Sequence, residues 1–258
     1  MEEFVHPLRW VGRKLARYLS EPRDDAHVTT SRPDLLAATL RKGDVLLIEG
    51  TSRFAGAIRY ITQSTWSHAA LFAGDALGAT KDGQNKLFIE ADINEGVRVM
   101  PLSHYEHWHT RICRPVGLYD TEIDALIAYA AARIGNQYDV RNVVDLARYL
   151  IRSPPVPDRY KRRLLALGSG EPTRAICSSL IAAAFASVRY PVLPDIEIAQ
   201  AKGAVGKEQV REILHIRDSR LYAPRDFDVS PYFRIVKPTL QQGFDPHALD
   251  WAPPLDPG

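Results

Sequence analysis

Cysteine is nearly missing from this sequence: only Cys113 and Cys177 occur in 258 residues. They form no CxxC pair, so a disulfide framework and the common zinc and redox motifs are excluded, and a reducing compartment, the cytoplasm, is expected. Long apolar runs are missing too. No stretch of about eighteen apolar residues occurs, which argues against a membrane-spanning helix. Arg9, Arg13, Lys14 and Arg17 interrupt the N-terminal stretch where the apolar core of a secretory signal would lie. An excess of one charge is also lacking. With 33 Lys and Arg against 31 Asp and Glu, the net charge of +2 gives no reason to expect nucleic acid as a partner. Finally, the glycine-containing stretches 43–50 and 168–170 carry neither the Lys-Ser/Thr of a phosphate loop nor a GxGxxG, so no nucleotide is expected, and no other cofactor is called for.

What is present suits a globular α+β domain, with 45% hydrophobic and 25% charged residues. Residues 3–19 place Phe4, Leu8, Val11 and Leu15 on one helical face among basic residues. This amphipathic helix suits packing on its own domain or on a partner, or peripheral contact with an anionic membrane surface. A linker to residue 33, a catalytic domain over 34–237 and an irregular tail over 238–258 complete the expected organisation.

Within the domain, a short helix near Asp34–Leu40 precedes the turn Arg41-Lys42-Gly43-Asp44 and the buried strand Val45-Leu46-Leu47-Ile48. Ser52 is placed to cap a helix from Arg53 to about Gln63. Strands are expected at Thr65–Phe72, Leu87–Ala91, Gly96–Met100, Thr110–Val116 and Tyr232–Val236, with helices at Asp120–Ile134, from about 140 to 151, and after Cys177. A short helix is expected near Ile196–Lys202.

The stretch Ile176-Cys177-Ser178-Ser179-Leu180 opens an apolar helix with a thiol in its first turn. Unpaired N–H groups and the positive end of the helix dipole favour a thiolate there, making Cys177 a candidate nucleophile. A buried structural cysteine fits the same residues. His68, inside an expected strand, is a candidate base on a rigid frame, and Glu90 on the next strand is placed to accept from its imidazole. Tyr138 is a candidate donor to a developing oxyanion together with the Cys177 backbone N–H. Trp66, Ser67 and Ser178 are candidates to line the substrate site. His104, His107 and His109 lack the spacing of the strong zinc signatures, and no metal is expected.

Taken in order, Gly43-Asp44-Val45-Leu46-Leu47, Ser67-His68-Ala69-Ala70-Leu71-Phe72, Phe88-Ile89-Glu90-Ala91, Gly96-Val97-Arg98-Val99, Gly135-Asn136-Gln137-Tyr138-Asp139 and Ile176-Cys177-Ser178-Ser179-Leu180 resemble the circularly permuted NlpC-type cysteine hydrolases, the YiiX/YebB-like branch of the papain-like superfamily. In that group the histidine strand precedes the cysteine helix. The resemblance implies a permuted papain-like fold, an antiparallel β-barrel or sheet packed against helices. It also implies Cys177 as nucleophile, His68 as general base, Glu90 as orienting residue and Tyr138 as auxiliary group. The implied reaction is attack on an amide or peptide carbonyl through an acyl-enzyme. Two departures stand out: Ser178-Ser179 where the family often has an acidic residue or glycine, and a basic segment at 148–170. The substrate is expected to be a peptide, amide or acyl-lipid. A lipid-directed acyltransferase or thioesterase, and a non-catalytic binding or scaffold domain, remain open on the same residues.

Overall fold

The computed structural model of the protein describes residues 29, 32–92, 95–137, 176–202, 208–219 and 222–248. The expected N-terminal helix, the helix from 140 to 151, the basic segment 148–170, the turn before Ile176 and Tyr138 lie outside the described residues. The elements run α1 (Pro33–Thr39), β1 (Val45–Ile48), α2 (Arg53–Thr62), β2 (His68–Gly74), β3 (Leu87–Asp92), β4 (Gly96–Pro101), β5 (Thr110–Pro115), α3 (Asp120–Ala131), α4 (Ile176–Ser187), β6 (Asp195–Lys202), β7 (Glu208–His215), α5 (Arg225–Val229), β8 (Phe233–Val236) and α6 (Pro238–Gln241).

Six strands form one antiparallel sheet in the order β4-β3-β2-β1-β5-β8. It stays open: the barrel that the resemblance allowed does not close. All four residues of β1 are buried because the strand is central and both faces of the sheet are covered. On one face, Val45, Leu47, Leu71, Ile89 and Cys113 pack against Leu126 and Ile127 of α3 and Leu180, Ile181 and Phe185 of α4. On the other, Leu46, Ile48, Phe72, Phe88 and Ile112 pack with Leu36, Leu102 and Tyr105. Strand β5 alternates between them, with Cys113 in one core and Ile112 in the other.

Local signals explain much of the rest. The Ser52 hydroxyl accepts from the Ala55 N–H at 3.0 Å and starts α2. Asp44 ends the turn before β1, where its carboxylate takes a two-pronged contact from Arg114 at 2.7 and 2.8 Å and the Arg41 N–H at 2.8 Å. Gly96 at φ +75° opens β4, and a Cβ there would stand 2.3 Å from the Asn136 carbonyl oxygen. That approach lets Val97 N–H donate to Asn136 O and Gly135 N–H donate to Val97 O.

The expected helix near Ile196–Lys202 is a strand. β6 pairs with β7 along its whole length as a separate two-stranded ribbon. Ile196 and Ile198 alternate with Glu197 and Ala199, the two-residue period of a strand. Strand β2 begins at His68 rather than Thr65. Residues 238–248, expected as irregular, include the single turn α6, packed beside α1.

Candidate active site

Antiparallel pairing places several strand ends at one end of the sheet. His68 is the first residue of β2 and lies opposite Ile48, the last residue of β1. Ile48 in turn lies opposite Thr110, the first residue of β5. Helix α4 packs on β2 and β3, and its second residue, Cys177, brings its sulfur close enough to His68 to act on the imidazole electrostatically. The thiol is 4% exposed, so the contact is sheltered from water.

The imidazole is held from behind. His68 Nε2 donates to Glu90 Oε2 at 2.5 Å, which leaves Nδ1 as the nitrogen for the thiol. Glu90 is 2% exposed, and a carboxylate so buried requires partners. Besides His68, the Tyr105 hydroxyl donates to Oε2 at 2.6 Å, and Arg98 donates to Oε1 through Nε at 2.8 Å, with Nη2 in ion-pair contact with the same oxygen at 2.7 Å. Arg98 is itself steadied by Glu95 at 2.9 Å. The pairing β3–β4 sets Glu90 directly opposite Arg98, so the register creates this ion pair.

These contacts fix the charges. Burial works against ionisation of Glu90, but His68, the Tyr105 hydroxyl and Arg98 outweigh it and hold its carboxyl far below the usual carboxylate range. Burial likewise works against a charged His68, and attraction to the Cys177 sulfur and to Glu90 outweighs it, raising the imidazole well above its ordinary value. Tyr105 is pushed well up by burial and by the neighbouring Glu90 carboxylate, so its phenol stays a donor. A raised imidazole beside the Cys177 sulfur, held by a buried carboxylate, is an arrangement that suits acid–base chemistry.

The structure thus brings Cys177, His68 and Glu90 together. Ser67 and Ser178 are turned inward: the Ser67 hydroxyl accepts from the Gly50 N–H at 2.8 Å, and the Ser178 hydroxyl donates to the Tyr222 carbonyl at 2.7 Å. Trp66 is buried, with its indole N–H donating to Asp228 at 3.0 Å. Tyr105 and Arg98 are the residues that sequence reasoning missed. Their signal was present for Arg98, since a tight turn ending at Gly96 pairs it with Glu90. Among the described residues, no group of three or more His, Cys, Asp or Glu is disposed to hold a metal ion.

A sheet whose histidine strand comes early and whose thiol helix follows later has the order of a permuted papain-like fold. The family model described as permuted papain-like amidase enzyme, YaeF/YiiX, C92 family, matches residues 39–150. The matched stretch contains His68, Glu90, Arg98 and Tyr105 and ends before Cys177. The resemblance to permuted papain-like enzymes therefore holds, and it lies with YaeF/YiiX amidases rather than with an NlpC-type label. It supports a cysteine hydrolase of the amidase kind. Among solved structures, the chain is similar to the crystal structure of the metalloprotein YiiX from Escherichia coli O157:H7, at 14% identity and a TM-score of 0.43, covering 76% of this chain and 96% of that one. No curated protein matches the chain. Among the described residues, no helix is long and apolar enough to cross a membrane.

Proposed function

We propose that the protein cleaves an amide bond by nucleophilic attack of Cys177, with His68 as acid and base and Glu90 as the positioning residue. The observation that carries this reading is the line of contacts from Tyr105 and Arg98 through the buried Glu90 to His68, with Cys177 beside the imidazole. An amide is preferred over an ester or thioester because the family matched over residues 39–150 is described as amidase.

The thiolate sulfur bonds to the carbonyl carbon, and the carbonyl oxygen takes up negative charge. The proposed donors to that oxygen are the Cys177 backbone N–H, in the first turn of α4, and Tyr138. His68 then gives its proton to the amide nitrogen, the C–N bond breaks, and the amine leaves. A water molecule attacks the thioester while His68 takes its proton. The C–S bond breaks and the acid is released. Throughout, Glu90 stabilises the imidazolium without accepting its proton.

Intact-mass analysis after brief incubation with a mixture of acylated amides and peptides tests this reading. An acyl adduct is expected on the wild type and not on Cys177→Ser. An adduct formed only with phospholipid extracts would contradict the amidase reading.

A further inference from the structure

A cavity of 440 Å³ opens beside the proposed site and has no part in the chemistry above. Its walls include Trp66, Thr110, Arg111, Lys237, Leu240 and Phe244. The volume lies within the range of small-ligand pockets. The strand pairing shows how near it is. His68, Ile48 and Thr110 stand in one row across β2, β1 and β5, so Thr110 lies two strand spacings, about 10 Å, from His68. An extended peptide covers that distance in about three residues.

The chemistry of the walls is specific. Arg111 is fixed by its Nη1 on both Asp228 oxygens, at 2.7 and 2.8 Å, and its guanidinium lies over the Trp66 ring at 4.9 Å. Asp228 also takes the Trp66 indole N–H, so one carboxylate sets the position of both residues. Trp66 stacks on His109 at 5.1 Å with 5° between the rings. With Nη1 engaged, Nε and Nη2 remain as donors on Arg111, a pair matched to a planar carboxylate. Asp228 offsets the charge of Arg111, leaving Lys237 as the charge in excess on the cavity wall, which suits a monoanion. Leu240 and Phe244, 59% and 46% exposed, provide an apolar flank with no role in the core.

We propose that this cavity binds the free C-terminal carboxylate of a peptide-like substrate whose last residue is apolar or aromatic, two or three residues beyond the scissile amide. Arg111 and Lys237 hold the carboxylate, and Leu240 and Phe244 pack on the terminal side chain. The inference rests on the amidase reading for its meaning as a subsite, but its test does not depend on turnover.

Binding is measured by calorimetry on the full chain carrying Cys177→Ser, with N-acetyl-Ala-Ala-Phe as the free acid, the same peptide as its C-terminal amide, and octyl phosphate. The acid is expected to bind about tenfold or more tighter than the amide, and the preference should shrink with added salt. Lys237→Gln, at the surface, is expected to remove most of that preference while leaving amide binding unchanged. Phe244→Ala should weaken acid and amide alike. Equal affinity for acid and amide, no binding of the acid at millimolar concentration, or a preference untouched by Lys237→Gln would overturn the proposal, as would tighter binding of octyl phosphate than of the acid. If the Cys177→Ser protein shows the acid preference while the wild type forms no acyl adduct, the subsite stands and the hydrolase reading fails. The reverse pair of results separates them the other way.

Discussion

Replacing Glu90 with glutamine removes one charge from the centre of the site and changes little in shape. Arg98 can still donate to a carbonyl oxygen in the place of Oε1, but an amide NH2 in the place of Oε2 accepts from neither Tyr105 nor His68, and the 2.5 Å contact loses its anionic acceptor. A hydrogen bond to a charged group contributes about 1.5–3 kcal/mol. If that contribution is felt by the imidazolium in the transition state, kcat/KM falls about 10- to 150-fold. The pH dependence gives the sharper reading. Burial lowers the His68 pKa, and Cys177 and Glu90 raise it further than burial lowers it. Without the carboxylate the balance moves toward burial, so the alkaline limb of the kcat/KM profile moves to lower pH. The stability consequences have opposite signs. The Glu90 contribution, from a depressed pKa, is present above the ordinary carboxylate range and lost only in strong acid. The His68 contribution, from a raised pKa, is complete below the ordinary imidazole value and lost as pH rises through the folded value. Glu90→Gln should therefore flatten both edges of the stability profile. Steady-state kinetics from about pH 5 to 10 on a cleavable amide, with thermal unfolding followed from about pH 2 to 10, measure both effects. An unchanged kcat/KM with an unmoved alkaline limb would refute the assignment of Glu90.

Three further substitutions test the supports around the site. Tyr105→Phe leaves Glu90 without one of its donors and should cost about 1.5–3 kcal/mol in chemical denaturation, with a smaller activity loss than Glu90→Gln. Arg114→Met strands the buried Asp44 carboxylate, at a cost of about 3–5 kcal/mol read by urea titration. An effect under about 1 kcal/mol would show that Asp44 finds another partner. Gly96→Ala forces a Cβ against the Asn136 carbonyl oxygen at positive φ, and should lower stability by about 2 kcal/mol or more. A wild-type melting temperature for Gly96→Ala would contradict the close approach of β4 to residues 135–137.

How far the sequence could be read depended on the range of the interaction. The Ser52 cap, the turn at Gly43-Asp44 and the buried run Val45–Ile48 are local, and their residues specify them directly. The β6–β7 ribbon was misread as a short helix near Ile196–Lys202, because the partner that pairs with β6 begins only at Glu208 and the strand by itself leaves only a weak alternation in view. His68 and Glu90 were legible as neighbours because one hairpin loop joins their strands. Tyr105 was not, since it reaches Glu90 from a 3₁₀ turn at Leu102–Tyr105 whose inward direction is set by packing against Phe88. Arg114 and Asp44 are 70 positions apart, and their contact exists only because β1 and β5 are paired.

The central claim is that His68 activates Cys177, and alkylation by iodoacetamide at pH 6 tests it most directly. Cys113 serves as an internal reference, because burial pushes its thiol pKa well up. Rapid labelling of Cys177 is expected in the wild type, with peptide mapping showing Cys113 untouched, and a rate at least about tenfold lower in His68→Ala. Equal labelling rates in the wild type and His68→Ala would contradict it.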